Sequence, residues 1–173
     1  MRQTKLNRRD FLAGSSAVVA GSALMITAGG ILIGPNGAWA MSPQAITTDE
    51  AATLVQMTRA LYPHAKLDDA IYAKVVASLD EKATKDDTLK STLQTGVADL
   101  KAGKWDGLDA DAREEALKKI DSTPFFQTVR GECVTGIYNN PDVWKIYGYE
   151  GPSAELGGYL HRGFDEITWP DQV

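Results

Sequence analysis

Residues 122–141, Ser-Thr-Pro-Phe-Phe-Gln-Thr-Val-Arg-Gly-Glu-Cys-Val-Thr-Gly-Ile-Tyr-Asn-Asn-Pro, hold both ends of a helix and its buried face in one stretch. A hydroxyl just before Pro124 can cap helix amides, and proline at the first helical position gives up only an amide that would be unpaired anyway. Phe126, Val129, Cys133, Ile137 and Tyr138 then recur at spacings of three and four, the period of one helix face. Asn139-Asn140-Pro141 breaks that helix, and Asn140-Pro141 starts a short one through Trp144 and Tyr147.

The same reasoning extends upstream. Thr47-Thr48-Asp49-Glu50 spells a capping box, in which a Thr side chain accepts a helix amide and Glu50 reaches back to a free donor. Leu54, Val55, Thr58, Leu61 and Tyr62 follow at helical spacing until Pro63. A second helix starts at Asp68 with Ile71, Tyr72, Val75, Val76 and Leu79 on one face. A third covers 87–102 through Leu89, Leu93, Val97 and Leu100 and stops at Gly103. Gly96 inside it costs about 1 kcal/mol of helix propensity, which close helix packing would justify. Asp109 caps a fourth helix with Ala112, Leu117 and Ile120, and Lys118 and Lys119 sit near its negative end. No stretch alternates β-branched residues with a period of two, so the expectation is an all-α domain of about five to six helices.

From Gly148 onward the texture changes. Gly148, Gly151, Gly157, Gly158 and Gly163 interleave with aromatics, and the spacings fit neither the dinucleotide nor the mononucleotide phosphate loop. Trp144, Tyr147, Tyr149, Tyr159, Phe164 and Trp169, with Arg162 among them, form an irregular tail that cannot bury its rings against itself. It either covers the helical core or meets another protein, and Trp, Tyr and Arg are the side chains that concentrate at binding hot spots.

The first forty residues read as an address. Asn7-Arg8-Arg9-Asp10-Phe11-Leu12 matches the twin-arginine export pattern at Arg8, Arg9, Phe11 and Leu12 and departs from it at the flanks. A Gly- and Ser-diluted apolar run over 12–34 follows, and Ala38-Trp39-Ala40 supplies the small residues that signal peptidase reads, predicting a cut before Met41. An uncleaved membrane anchor over 12–34 is the other reading, since the run is long enough to span a bilayer. The division expected is therefore a twin-arginine signal peptide over 1–40 and a helical domain over 41–173. The leader carries a net charge of +3 against −5 for the whole chain, which leaves −8 on the remainder. That balance makes the domain a poor match for nucleic acid or anionic lipid, both polyanions.

Side chains that carry chemistry are sparse. Two histidines, His64 and His161, and one cysteine do not make a three- or four-ligand zinc site. Cys133, on an apolar helix face, reads as a buried structural thiol with no second cysteine to pair with. His64 reads either as a hydrogen-bond partner at a helix end, the favoured reading, or as half of an acid–base pair with Asp68 or Asp69. Asp86-Asp87, Asp109-Asp111 and Glu114-Glu115 fall at expected helix starts, where negative charge is stabilising without further purpose. Neither a nucleophile elbow nor a haem-attachment motif occurs. No catalytic, cofactor-binding or metal residue is assigned.

The twin-arginine route moves folded proteins and commonly serves chains that load a cofactor before export; a chain with no cofactor motif can travel as company for one that has it. Arg59-Ala60-Leu61-Tyr62-Pro63-His64, Thr123-Pro124-Phe125-Phe126, Tyr138-Asn139-Asn140-Pro141, Trp144, Gly148-Tyr149-Glu150-Gly151 and Gly157-Gly158-Tyr159, in that order behind such a leader, resemble the gluconate 2-dehydrogenase subunit 3 family. The resemblance covers most of 41–173. It implies a non-catalytic small subunit in the periplasm, or at the membrane through its complex. There it would support export, maturation and stability of a flavin-dependent dehydrogenase large subunit of the glucose–methanol–choline type. It also implies FAD on that partner, sugars or alcohols as substrates, and often a cytochrome c subunit beside it, with the twin-arginine translocase as a transient partner. Two other readings stay open: a stand-alone periplasmic binding or scaffold domain, and an enzyme using His64, His161 and nearby carboxylates.

Overall fold

In a computed structural model, the structure describes residues 40–160 together with Met25, Ile26, Gly30, Leu32, Ile33 and Gly34. Six α-helices carry the fold among these residues: α1 (Thr48–Leu61), α2 (Asp69–Ala83), α3 (Asp87–Ala102), α4 (Ala110–Lys119), α5 (Pro124–Tyr138) and α6 (Pro141–Tyr147). Each begins where a short polar side chain can accept a helix amide. Thr47 accepts from the Glu50 amide at 3.2 Å while Glu50 accepts from the Thr47 amide at 2.7 Å, completing the capping box. Asp68, Asp86, Asp109, Thr123 and Asn140 cap the other five. Gly148 closes α6 at φ 73°, a left-handed turn that glycine adopts without a Cβ penalty.

Helix α1 departs from the one-faced pattern expected of it. Residues 51–58 are all buried, so the helix is covered all round and lies at the centre of the bundle. It packs against α2, α3, α4 and α5. Its buried polar atoms are satisfied locally or by a neighbour: Thr53 Oγ1 donates to Asp49 O, Thr58 Oγ1 donates to Val55 O, and Gln56 Oε1 accepts from Arg113. The pair α2 and α5 meets closely, with Gly136 of α5 facing Val75 of α2 at a distance that leaves no room for a Cβ. Beside that contact Glu132 accepts from Ser78 Oγ at 2.6 Å and from Lys82 Nζ at 2.5 Å. Cys133 is fully buried, as its helix face implied, and burial together with the neighbouring Glu132 charge pushes its thiol up to about 12.

Helix α3 and α5 approach at Gly96. A Cβ there would lie 2.1 Å from Phe125 Cγ, so the Phe125 ring occupies the space a side chain would need. This is the packing reason for a glycine within a helix. Glu114 and Glu115 fall in the middle of α4 rather than at its start, because Asp109 caps the helix five residues earlier; both pair with Lys118 one turn on.

Three two-residue strands, β1 (Met25–Ile26), β2 (Leu32–Ile33) and β3 (Ala40–Met41), form a small antiparallel sheet in the order β1-β2-β3. Its residues alternate over too few positions to give a sequence signal. Leu32 is fully buried against the helical core, and Gly30 O accepts from Thr48 Oγ1 at 2.6 Å. The last residues of the expected leader therefore touch the domain in the full chain, and Ala40 and Met41, flanking the expected cut, pair with β2. The stretch read as a tether is tied down next to them. Asp80 of α2, itself 5 % exposed, accepts the amides of Gln44 at 2.8 Å, Ala45 at 2.8 Å and Ile46 at 3.0 Å.

Candidate functional site

Two surface features stand out from the bundle: an aromatic patch at one end of α1, α5 and α6, and a cleft between α3 and α4. The patch starts at Tyr62-Pro63, where α1 ends and the chain turns, with His64 N donating to Tyr62 O at 2.8 Å. Tyr72, fully buried on α2, fixes that turn: its hydroxyl donates to Tyr62 O at 2.6 Å and accepts from His64 N at 3.3 Å. Burial raises the Tyr72 pKa, against the lowering pull of its bond to His64 and of the Arg59 guanidinium, which lies 4.9 Å from the ring centre. Arg59 is held in turn by Leu67 O at 2.7 Å and by Asp69 at 3.4 Å.

On this base His64 Nε2 meets the Tyr138 hydroxyl at 2.7 Å. A phenol both donates and accepts, so either imidazole tautomer is served. The rings of Tyr62, His64, Tyr138 and Tyr147 meet largely edge to face, the geometry aromatic quadrupoles favour, with Tyr62–Tyr138 at 5.8 Å and His64–Tyr147 at 6.1 Å. Lys66 Nζ lies 5.7 Å over Tyr147. Trp144 is half-buried: its Nε1 donates to Tyr138 O at 2.6 Å and Tyr149 stands edge-on at 5.3 Å. Around these anchored rings Tyr138, Ile146, Tyr147 and Tyr149 are each between 42 % and 51 % exposed. The result is a patch with fixed aromatic edges and open apolar faces.

The cleft is lined from four directions. Its lining comes from α3 and α4, from Gly103, Trp105 and Leu108 in the connection between them, and from Thr123 to Phe125 at the start of α5. Its volume is about 900 Å³, and its floor is made by Leu100, Trp105 and Phe125, all nearly buried. The floor exists because Gly96 admits the Phe125 ring and because the 3₁₀ turn Trp105–Gly107 tucks the indole inward, with Arg113 5.2 Å above it. Trp105 Nε1 is buried with no hydrogen-bond partner among the described residues.

Several sequence expectations find their place here. His64 is a helix-end hydrogen-bond partner, and its partner is the Tyr138 phenol rather than a carboxylate. Asp68 caps α2 through the Ala70 amide, and Asp69 faces Arg59, so neither forms the acid–base pair considered for them. Tyr138, grouped with the buried face of α5, is 45 % exposed because it is the last residue of that helix and projects past the core to His64. Trp144 is partly sheltered within the tail, whereas Tyr147, Tyr149 and Tyr159 are exposed, Tyr159 by 60 %. Arg8, Arg9, Phe11, Leu12, Ala38, His161, Arg162, Phe164 and Trp169 lie outside the described residues.

Sequence reasoning missed the cleft, Asp80, and the part of Val134 and Ile146 in the exposed apolar surface. Only Gly96 hinted at the cleft. Among the described residues no three His, Cys, Asp or Glu side chains group as a metal site, and no helix is long and apolar enough to cross a membrane. Compared with protein-family models, with curated proteins and with solved structures, the chain matches none.

Proposed function

We infer that this chain is a non-catalytic small subunit that accompanies a flavin-dependent dehydrogenase through export and holds it stable afterwards. The observation that carries the reading is the aromatic patch. Tyr147, Tyr149 and Ile146 expose their apolar faces around a Trp144 anchored by hydrogen bond and ring contact. Pre-ordered aromatic side chains lose little rotamer freedom on association, which is what makes them effective at interfaces. The twin-arginine pattern at Arg8 and Arg9 and the resemblance to subunit 3 of gluconate 2-dehydrogenase supply the export role and the class of partner: a large subunit of the glucose–methanol–choline type holding FAD, oxidising sugars or alcohols, with a cytochrome c subunit as electron acceptor.

The test is to tag the full chain at its C-terminus, purify it from the native periplasm and membranes, and record an absorption spectrum. A co-purifying polypeptide with a flavin spectrum supports the reading. A colourless single polypeptide overturns it in favour of a stand-alone domain. Replacing Arg8 and Arg9 by lysine should hold both chain and partner in the cytoplasm, and normal export of the partner from that strain would count against the escort role.

A further inference from the structure

The bond expected to be cut on export lies within ordered structure. Ala40 and Met41, which flank it, make up β3, and both pair with β2: Ala40 opposite Ile33 and Met41 opposite Leu32. Strand β2 is itself fixed to the helices. Leu32 is fully buried in the core beside α1, and the Thr48 hydroxyl, in the first turn of α1, donates to Gly30 O at 2.6 Å just ahead of β2. On the other side of the bond the chain has little slack. Met41 is half-buried on the core, and only Ser42 and Pro43 separate it from Gln44, Ala45 and Ile46. The amides of those three are held by the buried Asp80 carboxylate at 2.8–3.0 Å.

A protease encloses its substrate as an extended segment, so it cuts exposed loops and opened states rather than paired strands. Signal peptidase reads Ala38 and Ala40, and to enclose the Ala40–Met41 bond it has to part β3 from β2. With Asp80 holding the chain from Gln44 on, the movement falls to β2, and that takes Leu32 out of the core. The twin-arginine route passes proteins that are already folded, so these contacts exist before the peptidase meets the chain.

We propose that the folded domain shields the Ala40–Met41 bond from signal peptidase, so that the segment from Met25 to Ala40 stays with the exported domain. The proposal rests on reading 1–40 as an export leader and on nothing about the partner.

Purified full chain is incubated with bacterial signal peptidase in detergent micelles, and the products are identified by intact mass. The folded chain should be cut before Met41 at a rate lower by about tenfold or more than a synthetic peptide of residues 25–46, which has no helices to pack on. Leu32→Asp, which ejects β2 from the core, should restore cutting with an unchanged far-ultraviolet circular dichroism spectrum. Thr48→Ala, which removes only the bond to Gly30 O, should raise the rate by a smaller factor, and it gives the readout if Leu32→Asp loses its helices. Cutting of the folded chain as fast as the peptide overturns the proposal. So does a peptide that resists, because the sequence and not the fold would then be the barrier, and so does equal resistance of the unaltered chain and both variants. In cells, the exported chain should keep Met25 to Ala40, and an N-terminus at Met41 overturns the shielding. A chain confined to the cytoplasm would instead strike the export reading, which the comparison on purified protein does not need.

Discussion

Nε2 of His64 stands 2.7 Å from the hydroxyl of Tyr138, joining the turn after α1 to the last residue of α5 across 74 positions of sequence. The bond is exposed, so water competes for both partners and its net stabilisation is small. Its effect is to hold the Tyr138 ring in one orientation at the centre of the patch. Tyr138→Phe should therefore cost less than about 1 kcal/mol in urea unfolding. The same substitution should weaken co-purification of a partner, and a loss of several kcal/mol in stability would show the bond to be structural instead.

Asp80 gathers three backbone amides, from Gln44, Ala45 and Ile46, onto one buried carboxylate. Asp80→Ala leaves those donors unpaired and should destabilise the fold by about 3 kcal/mol, since hydrogen bonds to charged groups contribute more than neutral ones. Asp80→Asn keeps one acceptor oxygen but sets an amide donor against a backbone donor, and should cost about half as much. Chemical denaturation of the three proteins measures the order; equal stability of all three would remove the clamp.

Gly96→Ala gains helix propensity and still should lose stability. The new methyl would meet Phe125 Cγ and both Cδ atoms at 2.1–2.4 Å, and Cγ is not the free end of a flexible chain. Overpacking of that kind costs about 1–3 kcal/mol, more than the gain of about 1 kcal/mol from replacing glycine. Adding Phe125→Leu should restore part of the loss, a non-additivity that a double-mutant cycle reads directly.

Burial, with Glu132 second, holds the Cys133 thiol up at about 12, whereas an unfolded thiol ionises near about 8.5. The folded state thus resists releasing a proton that the unfolded state gives up. The thiol's contribution to stability is whole below about pH 8.5 and is lost as pH rises toward about 12. Tyr72, also raised by burial, acts in the same direction at higher pH. Urea midpoints should fall between about pH 8 and 10.5, less steeply in Cys133→Ala, and a thiol reagent at neutral pH should label Cys133 only after unfolding.

Leu32 is fully buried in the full chain and lies within the segment expected to be removed. A chain starting at Met41 loses that side chain from the core and, with it, the β2 strand that pairs with Met41. It should melt lower than the full chain by an amount equivalent to about 2–3 kcal/mol, the scale of burying one leucine. Identical melting curves for the two would show that Leu32 contributes nothing to the domain.

The sequence by itself determined the helices and their limits. Thr47, Asp68, Asp86, Asp109, Thr123 and Asn140 act on amides two or three residues away, and Pro63, Gly103 and Gly148 end helices within a turn, so the information is local and survives without the fold. Cys133 was legible as buried for a similar reason, because spacing alone puts it on the face shared by Val129 and Ile137. What only the tertiary structure decided involves partners far apart in sequence. It made α1 the central helix, brought Tyr138 to His64, set Asp80 under residues 44–46, and opened α3 from α4 over Trp105 and Phe125. Helical periodicity shows that a face is buried but not what buries it, and it carries no record of where two helices part. The patch and the cleft are products of how the helices cross, and that is settled only when the side chains of all six compete for the same interior.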